Sequence, residues 1–574
     1  ARRRTGLRLG DPGRRQRAVL VMVLLALLVL AGRLVQLQGF DRPAYVAMAT
    51  EQRQRAQVLP AIRGSVLDRN GEPLAYTVDA RAITVDNRLV EDPRGTAAAL
   101  APLLDVPEGE LLEKLSDREK AFVYLARRVD PDTARQVREL RLPGLSSEHE
   151  PQRLYPGGEL AANVVGFTGG DGRGLGGVES AFDSVLAGQD GRRELEVDQK
   201  GRQIPTAASS EVPAVPGDDV MLTIDSDLQW TAQRAVSDAV ESTEAEGGQV
   251  VVMDSRTGEV LALAVTPTFD AGEYASADEE DLGNAALSQV YEPGSVNKVI
   301  TAAAALEQGV VTPESIIEVG ECLQVADKCF SDSHEYEKTE QFTFNGVIAE
   351  SSNIGTIKVA LEMSPQTLYD YMRAFGYGQR TGLGLPGESA GILAAPEKWT
   401  GSSRGTIPIG QGVSTTTMQI ASVYQTLANG GLRMAPSLVK GTGDGRPVAR
   451  LQEPRQVIKP ETATQLTTML EAATSDSGTA PQARIDGYRV AGKTGTARRV
   501  VDGKYNGYMS SFSGFAPADD PRLVVSVVLD NPKTSIFGGV TAAPVFHDVM
   551  AFALAQQQVP PTGAPAPEVA LRAE

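Results

Sequence analysis

From Ala18 to Gly32 the chain runs without a charged side chain, directly behind seven arginines and one aspartate in its first 17 positions. Such a run must leave water, so it constrains the fold before any other feature does. As helix it rises only about 22 Å, short of the roughly 30 Å hydrocarbon core. Arg33 can snorkel, letting Leu34, Val35 and Leu37 complete a span over 18–38. A cleaved signal peptide is the rival reading, but no A-x-A-like site follows at the usual distance, which favours a retained single-pass anchor in the cell membrane. The basic flank puts residues 1–17 in the cytoplasm and the rest outside.

The formal charge is −18, and with +6 in the first 17 residues the remainder carries −24. A strongly acidic exterior part argues against nucleic acid as a partner. His149, His334 and His547 show no metal-ligand spacing, and no metal or other cofactor is expected. Cys322 and Cys329 lie on the oxidising side. They either close a short loop as a disulfide worth about 2.5 kcal/mol or remain two free thiols.

With 574 residues and 41% hydrophobic content, the chain can bury more than one core. Turn-rich strings at Asp68-Arg69-Asn70-Gly71 and Tyr155-Pro156-Gly157-Gly158 punctuate an α+β module over 39–219, which Pro213, Pro216 and Gly217 close. A larger domain spans 220–558. It opens with a strand at Met221–Ile224 and an amphipathic helix carrying Leu228, Ala232, Ala235, Val236, Ala239 and Val240. Val250–Met253 and Val260–Val265 read as a buried β-hairpin. Tyr488–Thr496, Ser513–Ala516 and Leu523–Leu529 read as further strands, and Ala543–Gln558 as a closing helix. Residues 559–574, rich in Pro and Ala, read as a disordered tail.

Three short elements carry the chemistry: Ser295-Val296-Asn297-Lys298, Ser351-Ser352-Asn353 and Lys493-Thr494-Gly495-Thr496. On the first turn of a helix, residues three apart share a face, so the Lys298 amine can reach the Ser295 hydroxyl. A free serine is a weak nucleophile and needs such a neighbour to take its proton. An ordinary lysine is charged at neutral pH, so Lys298 must be desolvated or placed near other positive charge, which Lys493 could supply. Ser437-Leu438-Val439-Lys440 has the same spelling but sits in an apolar run that reads as a strand, where those positions point to opposite faces.

These elements, in this order, resemble those of the class B penicillin-binding proteins, most closely the division branch. Arg63-Gly64-Ser65-Val66-Leu67-Asp68-Arg69-Asn70-Gly71, Arg153-Leu154-Tyr155-Pro156 and Gly174-Leu175-Gly176-Gly177-Val178-Glu179 resemble the family's pedestal motifs. Thr223-Ile224-Asp225, Gly410-Gln411-Gly412 and Leu427-Ala428-Asn429-Gly430-Gly431 resemble segments of its penicillin-binding domain. The resemblance implies an α+β serine acyltransferase fold, with a mainly antiparallel sheet flanked by helices, behind an anchor and a pedestal. It implies a monofunctional D,D-transpeptidase that cross-links peptidoglycan stem peptides at the septum. By that resemblance Ser295 is the nucleophile, Lys298 its base and Ser351 a proton relay. Asn353 orients the acyl peptide, while Lys493, Thr494 and Thr496 hold the terminal carboxylate beside Gly495. β-Lactams would be inhibitors, and a SEDS-type glycan polymerase and other divisome proteins would be partners. Elongation or sporulation roles stay open, as do a β-lactam sensor, a β-lactamase and a non-catalytic scaffold. The long pedestal speaks against a hydrolase. The chain departs from the family at Asn284-Ala285, Gln289 and Gly176.

Overall fold

The computed structural model describes residues 12–40, 54–196, 210–333, 336, 338–443 and 452–573. Its first helix, Pro12–Val35, buries none of its side chains. Together with the residues to Gly39 it is long and apolar enough to cross a membrane. The helix begins at Pro12, ahead of the apolar run, because Pro suits a first helical position and the arginines that follow are good helix formers.

The chain divides into two compact units. One comprises Ala1–Ala61 and Gln189–Val215. It holds the apolar helix and a three-stranded antiparallel sheet of Gln54–Leu59, Gly191–Glu196 and Ser210–Val212. The other comprises Ile62–Gly188 and Pro216–Glu574.

The second unit is built on a five-stranded antiparallel sheet. Helix α1 (Ser226–Thr243) leads into strands β1 (Gly247–Asp254) and β2 (Val260–Thr266), the hairpin read from the sequence. Helices α2 (Lys298–Glu307), α3 (Phe344–Ala349), α4 (Asn353–Leu361) and α5 (Thr417–Ala428) follow. Strands β3 (Ala491–Val501), β4 (Lys504–Ala516) and β5 (Leu523–Asp530) then complete the sheet, in the order β2-β1-β5-β4-β3. Helix α6 (Gly538–Gln556) closes it.

Strand alternation sorts the core into two layers. Val250 and Val252 of β1 pack with Leu228, Val236, Phe546 and Val549 of α1 and α6, while Val251 and Met253 join the helical lobe that holds α2, α3 and α5. Helix α6 is apolar enough to resemble a second span, but it is a core helix with Phe546, Val549, Met550 and Ala553 fully buried. The β3–β4 hairpin turns at Asp502 and Gly503, both at positive φ (51° and 74°), as a type I′ turn requires. Asp-Gly is the sequence signal for that turn, and it extends both strands beyond the segments read from the sequence.

The pedestal motifs do not stand apart from the larger domain. Val66–Leu67, Pro73–Val78 and Gln152–Leu154 form one five-stranded sheet with Val220–Leu222 and Val439–Thr442. Backbone pairing across more than 200 residues of sequence leaves no local signature, so hydrophobic patterning could not reveal it. Fully buried Glu179 joins the three motifs. It accepts from Arg63 Nε at 2.6 Å and from Arg153 Nε at 2.7 Å. Asp68 accepts from Ser226 Oγ at 2.9 Å, tying the first motif to the start of α1. Gly176 has no room for a side chain, since a Cβ there would lie 2.9 Å from the Phe167 ring, and Gln289 donates to Asp530 at 2.8 Å.

The tail differs from expectation. Instead of ending in disorder, Ala570–Ala573 lies along Glu340–Thr343 as an added antiparallel segment. Its backbone groups find partners at a sheet edge, which composition alone does not report.

Candidate active site

Helix α2 starts from a 3-10 turn, Gly294–Asn297, rather than from its own first α-turn. At three residues per turn, positions three apart share a face, and Lys298 N–H donates to Ser295 O across the turn. Among the described residues, however, the Lys298 amine bonds Ser351 and makes no hydrogen bond to the Ser295 hydroxyl. The turn is held from outside. Gly294 N–H donates to Gly410 O at 3.0 Å, and Gly412 N–H donates to Glu292 Oε1 at 2.7 Å. Gly410 sits at φ 80°, and a Cβ on it would lie 2.2 Å from Gly294 O. That explains the Gly410-Gln411-Gly412 spelling.

Ser295, Ser351, Asn353, Thr494 and Thr496 line one cavity of about 540 Å³. Lys298 and Lys493 lie beneath it, each fully buried. Lys298 Nζ donates to the Ser351 carbonyl oxygen and, at 3.2 Å, to Ser351 Oγ. Ser351 has φ 62°, a left-handed conformation uncommon for a residue with a Cβ. It connects α3 to α4, whose N-terminus Ser352 caps by accepting from Gly355 N–H.

Burial lowers the Lys298 pKa to about 7, and the nearby Asp332 carboxylate partly opposes the shift. The sequence suggested Lys493 as a source of this depression. The structure instead assigns it chiefly to desolvation, and Lys493 is itself pushed well down by burial and by the Lys298 charge. Two buried ammoniums this close cannot both stay charged at little cost.

Strand β3 is the sheet's edge, so alternate backbone groups face outward. Thr496 is one of these, since a Cβ on Gly294 would lie 3.0 Å from its carbonyl oxygen. The first turn of α6, Gly538 to Val540, also lines the cavity, and its N-terminal dipole favours an anion there. Gly538 permits that approach, because a Cβ on it would lie 2.0 Å from Ser511 O.

Several contributors were not read from the sequence. Asp332 Oδ1 accepts from Ile354 N–H at 2.9 Å, and Ser331 O accepts from Asn353 Nδ2 at 2.9 Å, so residues just past the Cys322–Cys329 disulfide hold the Asn353 end of α4. Thr479 accepts from Thr494 Oγ1 at 3.0 Å. Thr479 sits in a polar loop with nothing local to mark it, and Ser331 and Asp332 lie 22 positions before the residues they hold, so no local cap signal marks them either. Ser437 and Lys440 lie apart from this site, with Lys440 Nζ donating to Arg69 O at 3.4 Å. His149 pairs with Asp79 and His547 with Asp548, while His334 lies outside the described residues. Among the described residues no cluster of three metal-ligating side chains occurs.

The penicillin binding protein transpeptidase domain family matches residues 248–551, and the penicillin-binding protein dimerisation domain family matches 58–222. Penicillin-binding protein PbpB of Mycolicibacterium smegmatis is 37% identical over 99% of this chain and 94% of its own length. Peptidoglycan D,D-transpeptidase FtsI of Escherichia coli K12 is 35% identical over 94% of this chain and 91% of its own. Among solved structures, penicillin binding protein 3 from Mycobacterium tuberculosis complexed with aztreonam matches with a TM-score of 0.71 and 34% identity. The match covers 90% of this chain and all of that one.

Proposed function

This chain belongs to the penicillin-binding protein transpeptidase family, and on that premise we propose how its side chains divide the work of acyl transfer. The protein is a peptidoglycan D,D-transpeptidase. Ser295 attacks the penultimate D-alanine carbonyl of a stem peptide, the terminal D-alanine leaves, and the acyl group passes to an amine on a neighbouring strand. Lys298, near half neutral at pH 7, takes the serine proton. Ser351, hydrogen-bonded to that amine at 3.2 Å and open to the cavity, returns a proton to the leaving nitrogen. Asn353 orients the acyl peptide.

The tetrahedral oxyanion is held by the N–H groups of Ser295, in the unpaired first turn, and Thr496, on the outward side of the edge strand. Lys493, Thr494 and Thr496 bind the terminal carboxylate together with the first turn of α6. An arriving carboxylate raises the Lys493 pKa again, so the site gains a cation when substrate brings its partner. The single observation that carries this reading is one cavity lined by Ser295, Ser351, Asn353, Thr494 and Thr496 above two buried lysines.

The wider reading has the apolar helix anchoring the chain with residues 1–17 in the cytoplasm and both domains outside. The pedestal spans 39–219 and the transpeptidase domain 220–558, a division that the two family matches support. A septal role is consistent with the PbpB and FtsI names of the relatives, and with that role a SEDS-type polymerase and divisome proteins would be its partners. Two measurements test this. Mass spectrometry of the penicillin-treated full chain should find one adduct, on the peptide containing Ser295, and Ser295→Ala should abolish it; an adduct elsewhere would refute the nucleophile. A fluorescently tagged chain should concentrate at septa, and uniform side-wall signal would refute the division role.

A further inference from the structure

Ala570–Ala573 makes contacts that composition gives no reason to expect. Thr343 N–H donates to Leu571 O at 3.2 Å, Thr343 Oγ1 donates to Ala570 O at 2.6 Å, and Ala573 N–H donates to Gln341 O at 2.9 Å. Thr343 is also the N-cap of α3, its hydroxyl oxygen accepting from Gly346 N–H at 3.0 Å. A single hydroxyl therefore links the tail to the helix start. Gly346 completes the seat, because a Cβ there would lie 2.0 Å from Leu571 O. The tail occupies a groove that the helix leaves by having no side chain.

Arg572 grips the other end of α3. Both of its terminal nitrogens bond the Glu350 carboxylate, with Nη2 to Oε2 at 2.8 Å. Its Nε lies 3.6 Å from Glu340, and the guanidinium lies 3.6 Å above the Phe342 ring. A bidentate guanidinium–carboxylate pair fixes direction as well as distance. Glu350 is the C-cap of α3 and immediately precedes Ser351, whose carbonyl and hydroxyl hold Lys298. Ser351 keeps its left-handed φ only if the chain on either side is held, since that conformation is unfavourable for a residue with a Cβ. Asp332 and Ser352 hold the α4 side, and on the α3 side the carboxylate of Glu350 is held by Arg572.

We propose that Ala570–Ala573 is a strap across α3, and that Arg572, acting through Glu350, is a positioning residue for Ser351 and thereby for the Lys298 amine. Arg572 does not touch substrate. The proposal rests on the acyl-transfer roles given above for Ser295, Lys298 and Ser351, and it adds that the segment Ala570–Ala573 sets how well those groups are aligned.

The test uses the full chain in detergent micelles with a fluorescent penicillin, separating the saturating acylation rate from the concentration giving half that rate. Arg572→Gln and Glu350→Gln should each slow the saturating rate about tenfold to a hundredfold, as small misplacements of reacting groups do, with the half-saturating concentration unchanged. The double variant should be no slower than either single one, and Arg572→Lys should recover part of the loss. A wild-type rate in Arg572→Gln, or losses that multiply in the double variant, would overturn the proposal. Hydrogen exchange gives a readout independent of acylation. The Ser351 and Ser352 amides, bonded to Ile348 O and Val347 O, should exchange faster in Arg572→Gln, and unchanged exchange would equally overturn it. Absence of labelling at Ser295 in the wild-type chain would instead sink the assigned chemistry and leave the exchange test of the strap standing.

Discussion

The Lys298 amine is bound to both oxygens of Ser351, the backbone carbonyl and, at 3.2 Å, the hydroxyl. The amine is thus tied to a residue 53 positions away that is itself held in a left-handed conformation. The backbone carbonyl accepts from the amine in either protonation state. The hydroxyl can both accept from it and donate onward.

A pH dependence follows. With a pKa of about 7, Lys298 gains its neutral form as pH rises through neutrality. The rate of penicillin acylation should climb about tenfold per pH unit below 7 and level off above it. Stability should shift in the same direction. The unfolded lysine, near 10.4, holds a proton that the folded one has lost between about pH 7 and 10, so this group makes folding more favourable as pH rises through that window. A pH–rate profile flat from 5 to 9 would contradict the role given to Lys298.

Replacing Ser351 by Ala removes the hydroxyl while leaving the carbonyl contact to Lys298. Acylation should fall by about 10²–10⁴-fold, the usual range for a lost proton-transfer group. Stopped-flow labelling at saturating penicillin measures it.

The acyl-enzyme should be long-lived. Among the described residues lining the cavity there is no Asp, Glu or His to activate water, and the nearby Glu292 and Asp332 carboxylates already accept from Gly412 and Ile354 N–H groups. Labelled protein chased with unlabelled drug should keep its label over many minutes. Rapid release would indicate a hydrolase.

Glu179→Ala would leave Arg63 and Arg153 as buried cations without their shared carboxylate. Breaking one side of such a buried ion pair costs about 3–5 kcal/mol. Thermal unfolding should move down by several degrees, while below the transition Ser295 should still be acylated, because the triad lies in the pedestal motifs. Loss of acylation in a folded variant would mean that the pedestal reaches the site itself.

Cys322→Ser should remove about 2.5 kcal/mol of loop constraint. Its local effect should be at Asn353, which Ser331 and Asp332 hold from just beyond the disulfide. Acylation by a penicillin with a large side chain should slow more than acylation by a small one, as competition labelling would reveal.

Local chemistry was legible in the residue order. Ser295 and Lys298 three apart, two uninterrupted apolar runs forming a buried hairpin, a basic flank before an apolar run, and two cysteines seven apart each express a constraint that acts within a few residues, and such constraints write themselves into spacing. The unreadable parts depend on groups distant in the chain. Nothing near Lys493 reports that burial, more than mutual repulsion, lowers Lys298. Nothing in the Pro- and Ala-rich tail reports that Arg572 finds Glu350. The sheet joining Val66 to Val220 and Val439 is made of backbone hydrogen bonds, which every residue type offers alike. Residue identity therefore determined which reactive groups are present and how each short segment curls. Only folding decided which of them lose their water and which segments meet, since desolvation and long-range pairing are properties of what packs around a residue rather than of the residue itself.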